Sequence, residues 1–133
     1  SEKIGVISYS PLGAGLLTGK YGKNKRPDQG RLLEEARYKD RYKDENNFTI
    51  AENFASYAKK YNVSPSALAV AWVMSNPSVT APIIGARNLE QLKDSLGALE
   101  IKMTPQWREE ISRLSAAPAP ATDRTETLLP NWK

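Results

Sequence analysis

The 133-residue sequence contains neither cysteine nor histidine. Without Cys there are no disulfides, thiolate nucleophiles, Cys-ligated zinc sites or iron–sulfur clusters. Without His, Ser-His-Asp and Cys-His catalysis and His-ligated metal sites are excluded as well. Chemistry performed by this chain alone therefore falls to carboxylates, Lys, Tyr, Ser/Thr or backbone groups. No residue is assigned as catalytic or as a metal ligand. A dominant charge is also lacking: 19 Lys and Arg against 15 Asp and Glu leave +4, short of the clustered excess of a nucleic-acid binder. No run approaches the ~18 apolar residues of a membrane span, and no apolar segment follows a basic start. Neither membrane insertion nor secretion is expected, and the default location is cytoplasmic.

What is present fits about one globular domain, 40% hydrophobic and 26% charged. Ile4 to Tyr9 is a short, β-branched apolar run stopped by Ser10-Pro11, which reads as a buried strand of a parallel sheet. A glycine-rich apolar stretch follows, and then a densely charged one from Lys23 to Asn47. The charged stretch reads as a long surface loop with a helical turn around Arg31 to Arg37. Its cations are interleaved with Asp28, Glu34, Glu35 and Asp40, the pattern of a solvated face rather than of a nucleic-acid site.

Ile50, Phe54, Tyr57, Ala58 and Tyr61 recur at helical spacing, predicting an amphipathic helix over 50–61 capped by Thr49. Ser64-Pro65 is a cap followed by proline at the first helical position. The helix it opens, 65–75, is apolar nearly all round and therefore expected to be buried. Asn76-Pro77 stops it, and Val79 to Ile84 reads as a second buried strand. After Gly85-Ala86-Arg87, Asn88 and Gln91 form a capping-box-like pair. They start a helix with Leu89, Leu92 and Leu96 on its inner face. Thr104-Pro105 opens a last helix to Leu114, with Trp107, Ile111 and Leu114 inward. From Ala116 the Pro- and Thr-rich tail is expected to be extended.

The resulting order is strand, loop, two helices, strand, two helices: an α/β pattern with parallel strands. Two strands do not make a covered parallel sheet, so their apolar faces require partners outside this chain. The sequence also starts without Met and runs directly into a strand. The expectation is a portion of a larger protein.

Two turns are candidate anion sites. Gly13-Ala14-Gly15-Leu16-Leu17-Thr18-Gly19-Lys20 satisfies neither phosphate motif it approaches. Ala14 replaces the first Gly of a P-loop, and Tyr21 replaces its Ser/Thr. Thr18 replaces the third Gly of the dinucleotide fingerprint. Gly13 and Gly15 nevertheless let backbone N–H groups approach an anion, and Lys20 adds charge. The alternative is a plain strand-to-loop turn. At the second turn, Gly85-Ala86-Arg87-Asn88, a helix N-terminus and a guanidinium favour a phosphate, with Gln91, Asp94 and Ser95 within reach of a nucleotide. The alternative there is ordinary capping with a solvated Arg.

Taken together, three ordered motifs resemble the C-terminal part of the aldo-keto reductase family. They are Tyr9 to Tyr21 (YSPLGAGLLTGKY), Ser64 to Trp72 (SPSALAVAW) and Pro82 to Leu92 (PIIGARNLEQL). The resemblance covers about residues 4 to 115. It implies residues 1–115 as the strand-7-to-C-terminus portion of a (β/α)₈ barrel, with 116–133 as tail. It further implies that Ser10, Pro11, Leu12, Gly13, Gly15, Leu17 and Lys20 line the pyrophosphate and ribose of NADP(H). Gly85, Arg87, Gln91, Asp94 and Ser95 would surround its adenosine and 2′-phosphate. Ser95 departs from the Asn usual in the family. The family's catalytic Asp, Tyr, Lys and His come from earlier strands, and a barrel of this type takes roughly 250 residues. The implied reaction of the whole enzyme is NADPH-dependent reduction of small aldehydes or ketones, with this chain binding cofactor and inactive alone. The alternative is a non-enzymatic nucleotide-binding module, or one that self-associates through the uncovered barrel edge.

Overall fold

A computed structural model describes residues 4–117. It is an α/β arrangement of a two-stranded parallel sheet and six α-helices among the described residues. The strands are β1 (Ile7–Tyr9) and β2 (Ala81–Ile83), in register Ile7 with Ala81, Ser8 with Pro82 and Tyr9 with Ile83. Pro82 has no N–H to give to a ladder and suits a sheet edge. Thr80 extends the pairing through its side chain: Val6 N–H donates to Thr80 Oγ1 at 3.0 Å, and Thr80 N–H donates to Val6 O at 2.8 Å. Residues expected to form an extended tail lie, after Ala117, outside the described residues.

Between the strands come α1 (Arg31–Glu34), α2 (Ala36–Arg41), α3 (Glu45–Lys60) and α4 (Pro65–Met74). After β2 follow α5 (Leu89–Leu96), a 3₁₀ turn at Gly97–Glu100, and α6 (Pro105–Ser112). The proline-marked starts behave as their chemistry dictates. Ser64 caps α4 by accepting from Ala67 N–H, and Thr104 caps α6 by accepting from Trp107 N–H. Helix α3 begins five residues earlier than its apolar spacing predicts. Asp44, not Thr49, is its cap and accepts from Asn46 N–H, so Asn46 and Asn47 belong to the helix and not to the loop expected to reach Asn47. The charged stretch is likewise not loop throughout, since α1 and α2 lie within it.

The core is built around α4, buried from Ser66 to Ala71. Leu68 and Ala69 pack with Phe54 and Ala58 of α3 and Ile111 of α6. Val70 and Ala71 meet Ala98 on the other side. Arg108 locks α6 to the end of α4, donating to Trp72 O and Ser75 Oγ while its guanidinium stacks 4.7 Å from the indole. Trp107, expected inward, is half-buried against this core, as is Leu114.

Two burial expectations are corrected. The strands are largely exposed, with Ile7 65% and Tyr9 72% accessible, because no layer among the described residues covers their outer side. The leucine face of α5 also points outward: Leu89, Leu92 and Leu96 are exposed, and Ser95 is the side that packs inward. Helical periodicity located the stripe, but which stripe is covered depends on what packs against it.

Candidate functional site

The C-terminal ends of β1 and β2 lie side by side, so the turns that follow them meet. The first turn is tightly wound, running through 3₁₀ geometry at Gly13–Thr18. Five of its residues have positive φ: Ser10 (57°), Gly13 (56°), Ala14 (57°), Gly15 (98°) and Gly19 (80°). For Ser10 and Ala14 that left-handed backbone carries a cost on the order of 1 kcal/mol each. The winding is held by Gly13 N–H to Ser10 O (3.0 Å) and by Gly15 N–H and Leu17 N–H to Leu12 O. Thr18, standing where a dinucleotide fingerprint has glycine, ties its hydroxyl to Gly15 O at 2.7 Å. The N–H groups of Gly13 and Gly15 are thus committed internally. Here the glycines serve the conformation of the turn.

At the second turn, Asn88 Oδ1 accepts from Gln91 N–H at 2.9 Å and Gln91 Oε1 accepts from Arg87 N–H at 3.0 Å. This is the capping pair shifted by one residue at its return bond. It occupies the main-chain donor of Arg87 and leaves the guanidinium as the turn's anion-seeking group. Arg87 Nη2 faces Glu34 Oε2 of α1 at 4.0 Å, both side chains about half exposed. The other Glu34 oxygen accepts from Gly30 N–H at 3.1 Å. One carboxylate therefore holds the start of α1 and reaches across to Arg87.

The two turns and α1 enclose a cavity of about 410 Å³, of the size that holds a small-molecule ligand. Ten of the twelve sequence-derived candidates line it: Ser10, Pro11, Leu12, Gly15, Lys20, Gly85, Arg87, Gln91, Asp94 and Ser95. Gly13 and Leu17 are not brought to it. Gly13 sits beside Tyr42, and Leu17 packs into the hydrophobic core. Lys20 and Arg31 reach the cavity without an ion-pair partner among the described residues, which gives it three cations with Arg87.

Arg31, Tyr21 and Ser66 escaped sequence reasoning. Arg31 was hidden in a run of interleaved charges, and Ser66 lay inside a helix read as core. Tyr21 is a buried member of the cluster of Leu16, Leu32 and Ala51 that anchors the first turn. Burial pushes its phenol up from the ordinary value and Glu34 adds to the rise, while Arg26 and Arg87 oppose it. No group of three or more potential metal ligands occurs among the described residues. No helix among them is long and apolar enough to cross a membrane.

Residues 1–116 match the family model described as Aldo/keto reductase family. The chain is 33% identical over 126 residues to an uncharacterized oxidoreductase, YrpG, of Bacillus subtilis, covering 90% of this chain and 34% of that protein. It is 33% identical over 108 residues to probable aldo-keto reductase 1 of Glycine max, 81% of this chain and 31% of that one. It is 32% identical over 113 residues to the Schizosaccharomyces pombe aldo-keto reductase yakc, whose name carries NADP(+), 83% of this chain and 32% of the relative. The chain thus spans about a third of the length of these curated relatives.

Proposed function

This chain belongs to the aldo/keto reductase family, and from that premise we propose that its cleft is the phosphate- and adenosine-binding part of an NADP(H) site. The observation that carries the proposal is the single cavity joining both strand-ending turns, with the Arg87 guanidinium, Lys20 and Arg31 on its walls. The donor set fits the group: cations for phosphates, hydroxyls and a carboxylate for ribose and base. Arg87 would meet the 2′-phosphate, which favours NADP(H) over NAD(H) because the extra phosphate gains a charge-assisted pair. Lys20 and Arg31 would neutralise the pyrophosphate, with Ser10, Pro11, Leu12 and Gly15 shaping that wall. Gly13 and Leu17 would act behind the wall by holding the turn. Gly85, Gln91, Asp94 and Ser95 would surround the adenosine.

Residues 1–115 would form the C-terminal part of a (β/α)₈ barrel, with 116–133 as a tail, in a cytoplasmic protein. When bound, the cofactor supplies a hydride for reduction of a small aldehyde or ketone in the whole enzyme. The family's reaction also needs a proton donor. No residue of this chain is assigned that part, and the chain by itself is proposed to bind without turnover. Fluorescence titration of NADPH against the Arg87→Ala variant tests the assignment. Loss of one charge-assisted contact should weaken binding by about tenfold or more. Equal affinity in the two proteins overturns it.

A second reading, a non-enzymatic self-associating module, is favoured by one observation: the exposed apolar side chains Ile4, Ile7, Leu89 and Leu99. Light scattering during size exclusion separates the two. A dimer or larger species supports association, and a compact monomer with a cooperative melt opposes it.

A further inference from the structure

Methionine is scarce in this sequence, with two in 133 residues and no cysteine beside them, so the thioethers of Met74 and Met103 are its only sulfur atoms. The fold brings both to one place. Met74 is the last residue of α4, and Met103 lies between the 3₁₀ turn and α6. Together with Ala71, Ser75, Ala98 and Ile101 they line a groove of about 210 Å³. This groove shares no lining residue with the nucleotide cleft.

The two side chains differ in their setting. Met74 is 39% exposed. Met103 is half-buried and packs against two apolar clusters, one around Leu68 and Ile111 and the other made by Val70, Ala71 and Ala98. Leu12 and Ile84 pack against that second cluster as well. Those same two residues line the nucleotide cleft, Leu12 in the turn after β1 and Ile84 just past β2. Met103 thus shares one packed cluster with both walls of the cleft. A flexible, polarizable thioether suits such a place. A sulfoxide there sets a polar, chiral group among apolar neighbours, at a cost to the packing.

We propose that Met74 and Met103 form a reversible oxidation site for a peroxide, Met74 reacting first and Met103 second, with the second sulfoxide loosening the packing behind the cleft. In each step a sulfur lone pair attacks one peroxide oxygen. The S–O bond forms, the O–O bond breaks, and the departing hydroxide takes the proton of the transferred oxygen and leaves as water. Sulfur gives up two electrons and the peroxide gains them. Sulfoxide reductases reverse the change. The order follows from access, since Met74 meets solvent while Met103 is reached through the groove they share. The link from Met103 to ligand affinity rests on the nucleotide reading of the cleft given above, and the oxidation site itself does not.

The test treats the wild-type chain and Met103→Leu with hydrogen peroxide, Leu being close to Met in volume. Peptide mass mapping, thermal melts and calorimetric titration of 2′,5′-ADP are the readouts. The wild-type chain should gain one oxygen at Met74 and then a second at Met103. The doubly oxidised protein should melt about 4 °C or more lower and bind 2′,5′-ADP about twofold or more weaker. A methionine sulfoxide reductase should restore both. Met103→Leu, oxidised at Met74 alone, should keep its melting temperature and affinity. A Met103 that takes up no oxygen after Met74 is converted, or a second sulfoxide with an unchanged melt, overturns the proposal. An equal loss in peroxide-treated Met103→Leu overturns it too. A lowered melt with unchanged 2′,5′-ADP affinity overturns the link to the cleft. Absence of 2′,5′-ADP binding before treatment overturns the nucleotide reading and that link, while mass and melt still decide the oxidation site.

Discussion

Glu34 and a ligand phosphate compete for the same guanidinium, so replacing Glu34 by Gln should tighten phosphate binding. The Arg87–Glu34 pair is 4.0 Å long with both side chains about half exposed. At that separation two unit charges in water attract by about 1 kcal/mol. Solvent screening and the entropy of fixing two long side chains reduce such exposed pairs to roughly 0.2–1 kcal/mol. Releasing Arg87 from this partner should therefore raise affinity by about 1.5-fold to fivefold, and removing a carboxylate that would face the phosphate acts in the same direction. Gln is the informative choice because its amide oxygen can still accept from Gly30 N–H, which Glu34 Oε1 does now at 3.1 Å. The start of α1 is then preserved while the charge is lost.

Calorimetric titration of 2′,5′-ADP and 5′-ADP into both proteins is the assay. The gain should be larger for the ligand carrying the 2′-phosphate, and it should vanish near 1 M salt, where screening acts within about 3 Å. Removal of Glu34 also takes away a cause of the raised Tyr21 pKa, leaving burial as the main one. Alkaline titration should accordingly show one phenol moving down toward, but not reaching, its ordinary value. Unchanged or weaker 2′,5′-ADP binding at low salt would refute the competition and, with it, the placing of a phosphate on Arg87.

Three further outcomes follow from individual geometries. A methyl group at Gly85 meets nothing within 4 Å, so Gly85→Ala should leave the thermal melt within about 0.5 kcal/mol of wild type; NADPH titration should nevertheless weaken, because the methyl enters space a ligand would use, and a coincident pair of binding curves counts against the site. Gly19→Ala should cost about 1–2 kcal/mol in denaturant melts, since Gly19 has φ of 80° and its added Cβ would press 3.2 Å from Pro65 Cγ; an unaffected midpoint refutes this. Tyr57 donates to Glu110 at 2.7 Å, and burial followed by that bond holds the phenol well above its usual range, while bonds from Tyr57 and Gln106 hold Glu110 below its own. For the phenol, the unfolded chain releases its proton first, so stability is full below about pH 10 and falls as pH rises beyond it. For Glu110 the sign reverses: its contribution is present above about pH 4.3 and is lost as pH falls. Tyr57→Phe should flatten the alkaline limb, measured by urea midpoints across pH, and an unchanged limb would exclude Tyr57 as its source.

The parts of the fold legible in the sequence are those set by local chemistry. Ser64-Pro65, Asn88 and Thr104-Pro105 each announce a helix start through donors that need a cap, and all three caps form. Asp44 does not announce itself as a cap, because Asn46 and Asn47 have turn-forming chemistry unless their position relative to a cap is known. The parallel pairing of Tyr9 with Ile83 was legible only as an expectation of topology, since nothing local to either strand names its neighbour. The same division runs through the cleft. Its two turns could be read because each combines glycine with a cation or a helix start. Arg31, Tyr21 and Ser66 could not, because they reach the cavity only through packing of α1, the glycine turn and α4.

The outward leucines of α5 and the bare strands bear on the cleft in a specific way. Covering one such side chain is worth about 1.5–3 kcal/mol, so the outer side has a large free energy to gain from a partner. The walls of the cavity do not wait for it. The glycine turn is pinned from behind by Leu16 and Tyr21, packed with Leu32 and Ala51. The 3₁₀ turn that follows α5 is pinned to α4 by Ala98 against Val70 and Ala71, and Ile84 packs on the same cluster from the end of β2. The geometry that brings Arg87 toward the glycine turn is thus held by the β1–β2 pairing together with these two clusters. Tyr9 and Ile83 are exposed strand residues that also line the cavity, so a partner laid over the strands would meet the nucleotide cleft, whereas one laid over the leucines of α5 would not need to.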